Sequence, residues 1–253
     1  MAKSELAVVS NNTALADADL DALFNEYAGA GTSSAAEHNT IPLVYVLQSN
    51  SPQVNKRGDS YVEGAEPGDL WLKNAPNPII KGTEGVLFQP VDFNFCHVEW
   101  KPSRGGYVAS HRERPMDTVQ RQLDPNDDRL TWVRANGNEI VETCYVYGLV
   151  NMEMPYVIPL SNSGYRVARD WNTQAKARKY NGKTLPLFAQ KYRIKTVFRS
   201  NDRGEWFTLG FEAVEGIPDK KDILAGLEFY KSISAGDKKA ESPQMTTETE
   251  IPF

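Results

Sequence analysis

The chain has 253 residues, 40% of them hydrophobic, and a net charge of −5. That is enough apolar content for one sizeable core with appendages, and it excludes a uniformly basic nucleic-acid binder. Cys96 and Cys144 are the only cysteines, which argues against a disulfide framework. With no basic-then-apolar leader and no run of ~18–20 apolar residues, a soluble, cytoplasmic protein is expected.

Residues 1–40 are rich in Ala, Asn, Ser, Thr and Asp and read as a partly disordered N-terminal arm. Leu20, Leu23, Phe24 and Tyr27 have helical spacing, so a short helix is expected over residues 17–27, ended by Gly29 and Gly31. From residue 41 the pattern is strand-like: residues 41–48, a short piece at 69–73, a long strand over 85–100 that Pro90 should bend, and 107–111. Residues 112–128 are polar, hold Pro115 and Pro125, and read as a loop. Asn136-Gly137 sits between two β-prone runs and predicts a hairpin, because both residues accept positive φ. Residues 156–160 add a strand, and residues 165–180 have helical composition with Asn181-Gly182 as the stop. A second hairpin follows over residues 188–199 and 205–214, then a helix over 219–232 behind Pro218. Strands, a helix, then a hairpin is the order of an OB-fold, a partly open five-stranded barrel. The expected fold is therefore mainly β, an OB-like core over residues 41–233 with one or two accessory helices.

The charge is unevenly spread. Residues 164–203 carry eleven Lys and Arg against Asp170 and Asp202. A single-strand binder needs cations to follow the phosphates and flat side chains to stack on unpaired bases. The candidate phosphate contacts are Arg166, Arg169, Lys176, Arg178, Lys179, Lys183, Lys191, Arg193, Lys195 and Arg199. Along residues 190–199 the last four alternate onto one strand face, and Tyr192 and Phe198 fall on the other, as core. Trp171, Tyr180 and Tyr165 lie in otherwise polar sequence and are the stacking candidates. A solvated strand face and core aromatics are the plain alternative for the same pattern.

After Ser234 the composition changes. Residues 235–250 hold no aromatic or branched aliphatic residue and cannot bury enough surface to fold, so residues 234–253 read as a disordered tail. It closes on Glu248, Glu250, Ile251, Pro252 and Phe253: a Phe for an apolar pocket, a Pro that limits ordering cost, and carboxylates for a basic rim. This terminus resembles that of the bacterial single-stranded DNA-binding proteins, which end in an acidic stretch and Ile-Pro-Phe, and of phage counterparts with an acidic tail ending in Phe. The resemblance covers the tip and the layout of core, linker and tip. It implies an OB-fold core that coats single-stranded DNA in replication, recombination or repair, and a tip that recruits partner enzymes. A phage origin follows from a bacterial-like tip on a core unlike the bacterial one. No cofactor is implied, homo-oligomerisation is open, and the protein is not expected to be an enzyme.

Two other functions fit parts of the sequence. Asp92, Glu99 and Lys101 loosely resemble the acid–Glu-x-Lys pattern of metal-dependent nucleases. A strand-annealing recombination protein would share the basic surface. Cys96, His97, His111 and Cys144 lack paired zinc-ligand spacing, and no GxxxxGK[ST] phosphate loop is present.

Overall fold

The computed structural model describes residues 26, 40–123, 129–202, 204–236 and 239–240. The helix expected over residues 17–27 lies outside them except for Glu26, which is helical. The chain enters through β1 (Thr40–Ile41) and a small antiparallel sheet of β2 (Val44–Val46), β3 (Leu70–Leu72) and β4 (Ile79–Ile80). The main sheet begins with β5 (Val86–Trp100) and continues with β6 (Tyr107–His111), β7 (Val119–Gln122), β8 (Leu130–Val133), β9 (Glu139–Val150) and β10 (Met154–Ser161). Helix α1 (Ser163–Ala177) follows, then a small hairpin of β11 (Lys179–Tyr180) and β12 (Lys183–Thr184), and a long hairpin of β13 (Tyr192–Asn201) and β14 (Gly204–Ala213). Helix α2 (Lys220–Ser234) and β15 (Lys239–Ala240) complete it. The fold is mainly β, and its eight-stranded sheet stays open instead of closing into a barrel.

Two strands organise that sheet. β5 and β9 pair antiparallel from Phe88↔Val150 to Trp100↔Glu139. On its other edge β5 takes β13 at Val86–Phe88 and β6 at His97–Trp100. The other edge of β9 takes β10 over most of its length and β8 at its start. The long ribbon is thus shared by a proximal sheet (β14, β13, β10) and a distal one (β6, β8, β7). Pro90 has no N–H for the ladder, and the register shifts between Pro90 and Asp92, which bends β5 where the two halves meet.

Side chains alternate across the ribbon. Phe88, Cys144, Val146, Val150, Ile158 and Leu160 lie on one face beneath Ala168 and Trp171 of α1. Val91, Val98, Tyr145, Tyr147, Leu149 and Val157 lie on the other, with Phe229 of α2. Both faces are covered, so β9 reads as continuously apolar from Cys144 to Val150. Buried Gln89 fastens α2 to the sheet, its Nε2 donating to the carbonyls of Phe188 at 2.6 Å and Asp222 at 2.9 Å.

Three expectations are corrected. Part of the 112–128 loop is strand β7, a polar edge strand exposed at all four residues, so it lacks the apolar alternation that marks a half-buried strand. Helix α1 stops at Ala177. Asn181 and Gly182, at φ 48° and 77°, turn the β11–β12 hairpin instead of ending the helix. The segment after residue 234 returns to the fold: β15 pairs in parallel with β1, Thr40↔Lys239 and Ile41↔Ala240.

Candidate nucleic-acid interface

Helix α1 separates its residues by angle. Gly164, Ala168, Trp171 and Ala175 are buried at i, i+4, i+7, i+11, one stripe at 100° per residue. Arg166, Arg169 and Lys176, at i, i+3, i+10, lie on the side turned away from that stripe, roughly 110–170° from its centre, and are exposed. The β11–β12 hairpin directly after the helix adds exposed Lys179 and Lys183, with Tyr180 paired across to Lys183. Tyr180 is 52% exposed. None of these five cations is held in an ion pair among the described residues, which leaves their charge available to an anionic ligand.

Trp171, read from sequence as a stacking residue, belongs to the core. It is 0% exposed and packed by four rings, Phe88 at 5.9 Å, Phe93 at 5.4 Å, Tyr192 at 5.2 Å and Phe211 at 5.1 Å between centroids. Tyr165, half-buried, sits edge-on to Phe95. Arg178 is a structural clamp: its Nη2 donates to the carbonyls of Val214 at 2.9 Å and Gly216 at 3.4 Å, its Nη1 to Lys191 at 3.3 Å, and its guanidinium lies over Tyr192. These bonds tie the end of α1 to the base of the β13–β14 hairpin.

The remaining cations lie elsewhere. Tyr192 and Ile194 are buried on the α1 side, so Arg193 and Lys195 of β13 project from the opposite face. Lys195 is ion-paired to Glu212, Arg193 donates to the Glu84 carbonyl at 3.4 Å, Lys191 is half-buried just before β13, and Arg199 is exposed near the hairpin turn. The basic segment therefore forms two surfaces separated by the sheet. Phe198 differs from its sequence reading as core: it is 51% exposed and packs edge-on against Phe207. β13 leaves β5 after Ile194, so the alternating face loses its cover there.

The nuclease pattern does not converge. Asp92 and Glu99 are seven residues apart on a stretch of β5 with unbroken register to β9, so they point to opposite faces, roughly 23 Å apart along the strand. Lys101 is exposed beyond the end of β5. Burial pushes the Asp92 carboxyl up. Glu99 is engaged otherwise: its side chain, 2% exposed, receives Asn138 Nδ2 at 2.5 Å and Arg134 Nη1 at 2.9 Å, and lies 2.7 Å from His111 Nε2. Burial alone would raise its carboxyl, but the bonds from Asn138, His111 and Arg134 and the Arg134 charge outweigh it and hold the pKa at about 2. Arg134 also bonds Asp117 at 3.1 Å, so this network staples the loop before β7 to β5 and to the turn between β8 and β9. Sequence spacing carries no signal for it, since Glu99, Asp117, Arg134 and Asn138 meet only through the turns of the sheet. Cys96 and Cys144 are free and buried on opposite faces. Among the described residues no group of three or more His, Cys, Asp or Glu could hold a metal ion, and no helix is long and apolar enough to cross a membrane.

Glu248, Glu250, Ile251, Pro252 and Phe253 lie outside the described residues. Against known proteins, residues 11–239 match the family model described as Pam3 phage gp34-like protein. No curated protein and no solved structure matches the chain.

Proposed function

The chain belongs to the Pam3 phage gp34-like family, and on that premise we propose that it is a phage protein that binds single-stranded DNA without strict sequence preference. It would coat and protect the strand in replication, recombination or repair and recruit partner enzymes through Glu248, Glu250, Ile251, Pro252 and Phe253. The observation that carries this reading is the outward stripe of α1 with the hairpin that follows it. Arg166, Arg169, Lys176, Lys179 and Lys183 are exposed there, and Tyr180 offers a half-exposed ring between cations. Cations that follow a backbone and a ring that accepts any base are the two requirements of sequence-tolerant binding. The overall acidity of the chain does not oppose it, because the positive potential is local.

Titration of single-stranded DNA, duplex DNA and RNA over a range of salt tests the proposal. Single-stranded DNA should bind tightest, with a log–log salt slope of about −0.7 per phosphate neutralised. Replacing Arg166, Arg169 and Lys176 together with Ala should flatten that slope by about 2. The same exchange at Arg193 and Lys195, one of them already paired to Glu212, should flatten it less. Equal binding to duplex, or no binding to any of the three, refutes the function.

A further inference from the structure

The face that α1 covers continues past the helix. Along α1, Tyr165 meets Phe95, Trp171 meets Phe93 and Phe88, and the Ala175 carbonyl accepts from Gln190. The N-terminus of the helix therefore points toward the distal sheet, and its C-terminus toward β13. Cross-strand partners share a face, so Glu99, Ile140, Trp132 and Gln120 form one row on the α1 side. Leu130, 58% exposed, and Gln122 follow on the same face. Trp132 is half-buried, and the exposed guanidinium of Arg114 lies over its ring at 3.6 Å.

We infer that the Arg114–Trp132 pair is a stacking platform for a base of single-stranded nucleic acid, at the far end of a track that starts at Tyr180 and follows the cations of α1. The inference rests on the single-strand reading and adds a site to it. A guanidinium held over an indole is exposed on its outer side, where a base can stack on it above the ring. The division of labour is clear in the charges. Glu99 and Asp117 are bound by Arg134, and the exposed carboxylates Glu113 and Glu142 are equalled in number by exposed Arg112 and Arg114. The distal sheet thus supplies rings at near-neutral charge, and α1 supplies the cations. The span fits one strand: α1 is 15 residues long, ~22 Å at 1.5 Å per residue. From Cys144 beside Phe95 to Ile140 beside Trp132 is a further ~13 Å.

The test uses the full chain, fluorescein-labelled oligothymidylates of graded length, and Arg114→Glu, Trp132→Ala and Trp132→Phe. For long oligomers Arg114→Glu and Trp132→Ala should weaken binding by about 5- to 150-fold, whereas Trp132→Phe should stay close to wild type. Oligomers too short to reach from Tyr180 to Trp132 should be affected less. Arg114 is exposed, so its variant decides the matter should Trp132→Ala fail to fold. If the wild type binds and folded Arg114→Glu binds equally well at every length, the platform is overturned and the single-strand reading stands. A wild type that does not bind removes both. A change in solution mass with unchanged DNA affinity would make this face a contact between copies and also overturns the platform.

Discussion

Replacing Trp171 separates core from interface. The indole is fully buried and touches Phe88, Phe93, Tyr192 and Phe211, which come from β5, β13 and β14, so its removal opens a cavity where α1 meets the sheet. Large-to-small exchanges of a buried Trp cost about 3–5 kcal/mol, a large part of the 5–15 kcal/mol by which domains are usually stable. At about 2–4 °C per kcal/mol for a chain of this size, Trp171→Ala should melt roughly 6–20 °C below wild type. Thermal and urea unfolding give the loss directly. A parallel titration with single-stranded DNA, well below the melting point, should show affinity within about twofold of wild type. A variant that melts within about 2 °C of wild type yet loses tenfold or more in DNA affinity would refute the placement of Trp171 in the core.

Glu99→Gln bears on acid stability. Glu99 in the fold titrates at about 2, below the ordinary 4.5, so its contribution is complete above pH 4.5 and fades as the pH falls toward 2. The wild type should lose stability over that window more steeply than the variant, and parallel acid limbs in urea titrations at stepped pH would contradict this. At neutral pH the variant should be weaker by about 1.5–3 kcal/mol. Arg178→Lys cannot reproduce the fork onto Lys191, Val214 and Gly216 and should lower the melting temperature with little change in salt slope. Gly148→Ala would bring a Cβ within 2.3 Å of the Phe88 ring. It should destabilise by about 1–3 kcal/mol, and a neutral result in denaturant melts would show that the β5–β9 ribbon yields. Deleting residues 248–253 should leave the melting temperature unchanged while abolishing capture of replication or repair enzymes, and a lower melting temperature would place the tip in the core.

Much of the fold was legible because local chemistry and the global pairing agree. Asn136-Gly137 turns β8 into β9, the unbroken apolar run of β9 is explained by cover on both faces, and Pro90 sits where β5 bends. The errors have physical causes. The buried stripe of α1 is Gly, Ala, Trp and Ala, small residues that let the rings of the sheet approach closely and leave no run of branched aliphatics to mark the packed side. Alternation alone made Phe198 a core residue, because the end of β5 pairing at Ile194 is set by the partner strand. The cations of one basic segment read as a single stripe, but a chain that passes from a helix on one face of a sheet into a strand of that sheet shows its charges on both sides. Arg114 and Trp132 are 18 residues apart in sequence, and the antiparallel pairing of β7 with β8 brings them together.

The pairing of β1 with β15 bears on the order in which the molecule can assemble. Thr40 and Lys239 stand about 200 residues apart, the longest separation of any strand pairing among the described residues, and loop-closure cost grows with that separation. Among the described residues β1 pairs only with β15, so during synthesis the main sheet can form before β1 finds that partner. The two-residue ladder then closes last, and by the same cost it should be the first to open. Amide exchange at Ile41 and Ala240 should accordingly be faster than at Val146 or Val150 in the middle of the ribbon.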